Sequence, residues 1–115
     1  MGKGQKLYSK AQQIVAGGNM LLSKRPEMFL PEHWPSYFSK SKGCEVWDLD
    51  GKKYIDTLMM PGTNSLGYNY EEIDEAVKET INSGNMSTLN APEEVELTER
   101  LVELHPWADM ARFAR

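Results

Sequence analysis

The sequence predicts a mixed α/β chain in which a short antiparallel β-meander is flanked by helices. Two observations predict it. An Asp50-Gly51 pair stands between two runs rich in β-branched and aromatic residues, the pattern of a tight hairpin. Three other stretches carry apolar residues at helical spacing and end at glycine or proline, so helices lie on both sides of the meander.

The first helix is expected over residues 4–16, with Leu7, Ala11, Ile14 and Val15 forming one buried stripe at i, i+4, i+7 and i+8. Gly17-Gly18 ends it, because glycine readily takes the left-handed conformation just past a helix. Residues 19–35 contain Pro26, Pro31 and Pro35 with no steady period and read as an extended loop, a length of irregular chain that is usually functional. The meander follows: strands over residues 37–39, 44–49 and 53–56, a turn at Lys42-Gly43, and a type I′ turn at Asp50-Gly51 with positive φ at both residues. Cys44 reads as a small packing residue of the second strand.

Residues 57–69 form a second conspicuous loop. Asn69 is expected to cap the next helix with Glu72 as its capping-box partner, and Ile73, Ala76, Val77 and Ile81 give that helix an apolar face before Ser83-Gly84 closes it. Pro92 opens a third helix, where its missing N–H costs nothing. Leu97, Leu101 and Leu104 share one face of it, and Pro106 stops it after His105. Residues 110–115 read as the beginning of a strand. The expected division is residues 1–56, helix, loop and meander, and residues 57–115, loops, two helices and that strand.

Composition narrows the function. The chain has 115 residues, 40% hydrophobic and 26% charged, which suits a globular protein and argues against a disordered tail. No apolar run approaches the ~20 residues of a membrane-spanning helix, and the first residues lack the apolar core of a secretory signal. With Cys44 the only cysteine, no internal disulfide forms and a cytoplasmic location is expected. Residues 1–53 carry nine Lys/Arg against five Asp/Glu, and residues 54–115 carry four against twelve. The basic residues are scattered without aromatic stacking partners, so neither nucleic acid nor a membrane is an expected partner.

The residues alone do not supply an active site. His33 and His105 stand in a loop and at a helix end, Cys44 has no ligand-spaced neighbours, no metal site is expected, and no phosphate-binding glycine loop is present.

Read in order, however, Gly43-Cys44-Glu45-Val46-Trp47-Asp48-Leu49-Asp50-Gly51-Lys52-Lys53-Tyr54-Ile55-Asp56 resembles the G-x-x-x-W-D-x-D-G-x-x-Y-I-D meander of class III (ω-type) aminotransferases, particularly their glutamate-1-semialdehyde 2,1-aminomutase-like branch. Ile14-Val15-Ala16-Gly17-Gly18 is similar to the family's I-P-G-G helix exit, Leu66-Gly67-Tyr68-Asn69-Tyr70 to its L-G-H-x-H-P, and Ala91-Pro92 through Leu97 to its A-P-x-x-x-E-x-x-L helix start. Ala16 replaces a proline, Tyr68 and Tyr70 replace histidines, and Pro61 lies near a place where aminomutases carry an aromatic residue. Those departures leave aminomutation and transamination of another substrate, such as a sugar, both open.

The resemblance implies the amino-terminal portion of a fold type I, pyridoxal 5'-phosphate-dependent transferase, homodimeric, moving an amino group between small-molecule donor and acceptor through a pyridoxamine phosphate intermediate. It implies that the S-G-[TG]-E-A phosphate motif, the pyridine-nitrogen Asp and the Schiff-base Lys fall beyond residue 115. The 115 residues alone would then be inactive, and no residue here is assigned as catalytic. It places Arg25, with Ser23, near the family's substrate-carboxylate arginine, Pro61 and Gly62 at the substrate's border, and Ser87 and Thr88 in a loop that approaches a neighbouring subunit's cofactor. A guanidinium suits the first role because it binds carboxylate through two parallel hydrogen bonds. The competing expectation is a non-enzymatic scaffold that retains only the family's outer lobe.

Overall fold

A computed structural model describes residues 1–60 and 63–114. In chain order these form α1 (Lys3–Ile14), two short 3-10 turns (Leu22–Lys24 and Pro26–Met28), β1 (Phe38–Lys42), β2 (Glu45–Asp48), β3 (Lys53–Ile55), α2 (Glu71–Ser83) and α3 (Glu93–Leu104). The chain divides into two units, Met1–Ile73 and Asp74–Arg115.

In the first unit α1 turns a different face inward from the one its aliphatic residues predict. Gly4, Tyr8 and Ala11 are buried, whereas Leu7 and Ile14 are 42% and 72% exposed. The spacing i, i+4, i+7 is the expected one, displaced by three positions toward the N-terminus. Gly4 is the cause: a Cβ there would collide with the carbonyl oxygen of Pro35, so only a bare Cα allows the helix to lie this close to the chain entering the meander. Lys3 N–H, one of the four unpaired donors at a helix start, donates to Asp50 Oδ2 at 2.8 Å. That carboxylate also lies at the positive end of the helix dipole. Gln5 Nε2 donates to the carbonyls of His33 and Trp34 at 3.2 and 3.0 Å.

The meander has the order β1-β2-β3, all antiparallel. Trp47 pairs with Lys53 and Val46 with Tyr54, while a bulge between Phe38 and Lys40 bends β1. The hairpin at Asp50-Gly51 is present but is not type I′. Gly51 has φ of 82° and no positive φ occurs at Asp50. Gly51 N–H donates to Asp48 O at 3.1 Å and Asp48 N–H to Lys52 O at 3.0 Å, a longer connection with glycine as the left-handed bulge residue. Asp48 explains the choice: its Oδ1 accepts from the amides of Asp50 and Lys52, both at 2.9 Å, and its Oδ2 from Tyr54 Oη at 2.9 Å. Burial pushes the Asp48 carboxyl up, but those hydrogen bonds outweigh it and hold the group below the usual carboxylate range. Cys44 is not a strand packing residue. It lies in the β1–β2 connection and is exposed.

The loop after β3 folds back on the sheet. Gly43 and Tyr68 exchange backbone hydrogen bonds of 2.8 and 2.9 Å. Asp56 Oδ1 accepts from the amides of Leu58 and Met59 at 3.0 and 2.9 Å, and Oδ2 from Tyr68 Oη at 2.6 Å. The Tyr68 hydroxyl, then the Met59 amide, keep the Asp56 carboxyl below its ordinary range against an opposing push from burial. A depressed carboxyl contributes stability that is present above its unfolded value, about 3.9, and lost as pH falls through the lower native value. Tyr68→Phe is therefore expected to move the Asp56 carboxyl upward in a carbon-detected NMR titration, and to shift the acid limit of the loop's stability to higher pH.

Asn69 does not act as the expected helix cap. It adopts φ of 51°, its Nδ2 donates to Ser41 O at 2.9 Å, and α2 starts only at Glu71. The side chain fastens the end of the loop to β1.

In the second unit, α2 closes at Gly84, whose N–H donates to Ile81 O at 3.2 Å. Pro92 accepts from the amides of Val95 and Glu96 as the start of α3, and His105 N–H closes that helix on the carbonyls of Leu101 and Val102. No residue of α2 or α3 is buried; Ile73, Val77, Ile81, Leu97 and Leu104 are each roughly half exposed. Residues 110–114 pair with no strand among the described residues, so the expected terminal strand is absent there, and Arg115 lies outside the described residues.

Candidate functional site

A cleft of about 430 Å³ opens where α1, the Gly17-Gly18 turn and the two 3-10 turns meet, lined by Tyr8, Gln12, Gly17, Gly18, Arg25 and Glu27 among others. Its position follows from the local sequence. Val15 N–H bonds to Ala11 O at 2.7 Å and Gly18 N–H to Val15 O at 2.8 Å, after which Gly17 and Gly18, with φ of 75° and 78°, reverse the chain. Such φ values are open to glycine and costly for other residues. The chain then returns through Leu22–Lys24 and Pro26–Met28. Pro26 presets φ at the first position of its turn and is fully buried.

Arg25 stands between the two 3-10 turns, its N–H bonded to Leu22 O at 3.1 Å and its carbonyl accepting from Met28 N at 3.0 Å. The guanidinium packs on Gly17: a Cβ on Gly17 would run into Arg25 Nη2. Arg25 Nε is buried without a hydrogen-bond partner among the described residues, as is Asn19 Oδ1. The residue as a whole is half-buried and lines the cleft, so an anion entering it would meet the guanidinium's charge and its outer N–H groups rather than the enclosed Nε.

Glu27, itself exposed, also lines the cleft. The Tyr8 hydroxyl donates to its carboxylate, at 2.9 Å from Oε2 and 3.1 Å from Oε1, and Gln12 Nε2 donates to Oε1 at 3.1 Å. Burial first, then the hydrogen bond to Glu27 and its charge, raise the Tyr8 pKa, while the Arg25 charge acts the other way. Tyr8 therefore remains a donor throughout the physiological range.

Of the residues singled out from sequence, the structure brings Arg25 and Ser23 into the same pair of turns, with Ser23 exposed. Pro61 and Gly62 lie outside the described residues; the two residues before them, Met59 and Met60, both have positive φ, 45° and 50°. Ser87 and Thr88 are exposed in the second unit, and Ser87 Oγ accepts from Leu89 N–H at 2.8 Å. Tyr8, Gln12 and Glu27 were not anticipated. Their signal was the i, i+4 spacing of Tyr8 and Gln12 on one face of α1, legible only once the chain reversal opposite it is known.

Comparison with known proteins places this geometry in context. The sequence profile described as "Aminotransferase class-III" matches residues 31–115. The chain is 35% identical over its whole length to the 3-aminobutyryl-CoA aminotransferase of Cloacimonas acidaminovorans, covering 28% of that protein. It is 32% identical over 98% of its length to the glutamate-1-semialdehyde 2,1-aminomutase of Methanosarcina acetivorans, covering 26% of it. Among solved structures it resembles the PLP internal aldimine form of the FumI protein of Sphingopyxis sp. MTA144, with a TM-score of 0.87 and 32% identity over 99% of this chain and 27% of that one. The chain thus spans about a quarter of the length of the relatives it matches, and has the fold of the corresponding part of a fold type I, PLP-bound protein.

Proposed function

Because the chain belongs to the class-III aminotransferase family, we propose that it forms the substrate-entrance segment of a pyridoxal-phosphate-dependent enzyme that transfers an amino group, with Arg25 receiving a carboxylate of the substrate. The observation that carries this reading is the half-buried Arg25 guanidinium, seated on Gly17 in a cleft and in no ion pair among the described residues. A substrate carboxylate supplies the counter-charge that Arg25 lacks, and two parallel hydrogen bonds to a planar fork also fix its orientation. Ser23 offers a hydroxyl on the neighbouring turn, and the family resemblance assigns Pro61 and Gly62 to the border of the same substrate. The relatives differ in the substrates their names state, so the shared chemistry is amino-group transfer, with aminomutation one form of it.

Pyridoxal phosphate supplies the electron sink for such transfer. The residues described here do not form a cradle for its phosphate. The first turn of α3, the helix beginning just after the Ser87-Thr88 loop, carries Glu93, Glu94 and Glu96, which oppose an anion there. Ser87 and Thr88 contribute at most neutral hydroxyl donors to a cofactor held by a neighbouring subunit of a homodimer. On this reading the 115 residues alone are inactive, because none of their lysines stands in a context matching the family's Schiff-base lysine. The exposed apolar faces of α2 and α3 pack against the remainder of the enzyme, and the enzyme is cytoplasmic, in keeping with a single exposed Cys44.

The test is substrate discrimination by the full-length enzyme. Arg25→Ala is expected to reduce the preference for a carboxylate-bearing amino donor over its uncharged amide, measured as the ratio of their kcat/KM values, by about tenfold, the worth of one hydrogen bond to a charged group. An unchanged ratio overturns the assignment of Arg25.

A further inference from the structure

We infer that Tyr8 and Gln12 are positioning residues that hold the Glu27 carboxylate off the Arg25 guanidinium, leaving that cation available to the substrate's carboxylate. The inference rests on the reading of Arg25 given above and extends it to three residues that reading does not use. Arg25 and Glu27 are two positions apart and line the same cleft. An arginine and a carboxylate lining one cleft can pair with each other, since their forks match. A paired Arg25 would be neutralised and closed to an incoming anion.

Among the described residues the ion pairs join Lys53 with Glu45, Lys78 with Glu75 and Arg100 with Glu103; none includes Arg25 or Glu27. Two features account for this. On one side, the Glu27 oxygens are engaged by donors from successive turns of α1, the Tyr8 hydroxyl and the Gln12 amide. These donors are uncharged, so they satisfy the carboxylate without requiring a cation. On the other side, the guanidinium rests on the bare Cα of Gly17, and Tyr8 also packs under Gly18, where an added Cβ would lie 3.0 Å from the Tyr8 hydroxyl oxygen. The glycine pair thus does more than end α1. It brings Arg25 and the donors for Glu27 into one cleft while giving each charge its own seat.

The arrangement makes a prediction of unusual sign. Removing the Tyr8 hydroxyl frees Glu27 to pair with Arg25 and should weaken anion binding; removing the Glu27 charge as well should restore it. The experiment uses the full-length holoenzyme and isothermal titration calorimetry with glutarate, an unreactive dicarboxylate, against glutaramide, its uncharged counterpart. Tyr8→Phe is expected to weaken glutarate binding about threefold to tenfold, the range for a new, partly screened charge pair. Tyr8→Phe combined with Glu27→Gln should return it to within about twofold of the parent, since the competing pair is then gone. Glutaramide should not distinguish the variants. If Arg25→Ala leaves glutarate binding unchanged, or the parent enzyme does not bind glutarate, the assignment of Arg25 falls and this inference with it. If Arg25→Ala weakens glutarate binding but Tyr8→Phe does not, or Glu27→Gln fails to rescue Tyr8→Phe, the assignment of Arg25 stands and the shielding role is overturned. A merely structural Tyr8 predicts the last outcome, because a second substitution would not repair a packing defect.

Discussion

Replacing Gly4 with alanine is expected to destabilise the first unit by about 2 kcal/mol, although helix propensity alone predicts a gain of about 1 kcal/mol. The two effects have opposite signs, so the outcome decides which controls α1. An alanine Cβ would meet the carbonyl of Pro35, a backbone atom that no rotamer change can move aside. The helix must then withdraw, and its withdrawal strains contacts on both sides of Gly4: the Lys3 amide on Asp50 and the Gln5 amide group on His33 and Trp34. Each such hydrogen bond contributes about 0.5–1.5 kcal/mol, and forcing a methyl into a closed contact costs about 1–3 kcal/mol. Thermal unfolding followed at Trp34, together with hydrogen exchange of the α1 amides, measures the result. A variant as stable as the parent or more so would show that the helix does not depend on its approach to Pro35.

Gly4 also shows why the inward face of α1 was not legible in the sequence. Periodicity assigns burial to aliphatic residues, and Leu7, Ala11, Ile14 and Val15 match the template well. The face is instead chosen by the one position where the backbone of another segment comes close. Tyr8 follows it inward because its ring can be buried while its hydroxyl reaches Glu27. The meander was legible for the opposite reason: its information is local, in strand-forming residues bracketing a glycine that tolerates positive φ. Even there the turn type depended on Asp48, whose carboxylate gathers the Asp50 and Lys52 amides and so favours a wider connection. Asn69 met the local rule for a cap, yet its amide group found the Ser41 carbonyl across the sheet. Arg25 was reached through family resemblance; its seat on Gly17 and the Tyr8–Gln12–Glu27 cluster depend on a chain reversal and two 3-10 turns for which residues 19–35 carry no period. The amphipathic faces of α2 and α3 were legible as patterns, and their half-exposed residues show that a pattern specifies a face without specifying what covers it.

The other large effect is expected at Asp48→Ala. This side chain accepts from two turn amides and from the Tyr54 hydroxyl, so one truncation removes the acceptor for three donors drawn from the turn and from β3. The donors are left around a part of the sheet where Asp48 itself is nearly buried, and the Asp50 amide loses the partner that sets the shape of the turn. That turn also presents Asp50 Oδ2 to the first amide of α1, so a loosened hairpin should release the start of the helix as well. In hydrogen exchange, the Asp50 and Lys52 amides should lose protection by about tenfold or more, the worth of a hydrogen bond to a charged acceptor, and the Lys3 amide should follow. Asp48→Asn separates geometry from charge. Its carbonyl oxygen can still accept from both amides, so it should retain much of their protection while losing the acid-side dependence that the depressed Asp48 carboxyl confers. For the parent that dependence has a definite sign: its stabilising contribution is complete above about pH 4, the ordinary carboxyl range, and is lost as pH falls through the lower native value. Full protection of the Asp50 and Lys52 amides in the alanine variant would mean that backbone pairing alone holds the hairpin, and that Asp48 has no part in supporting α1.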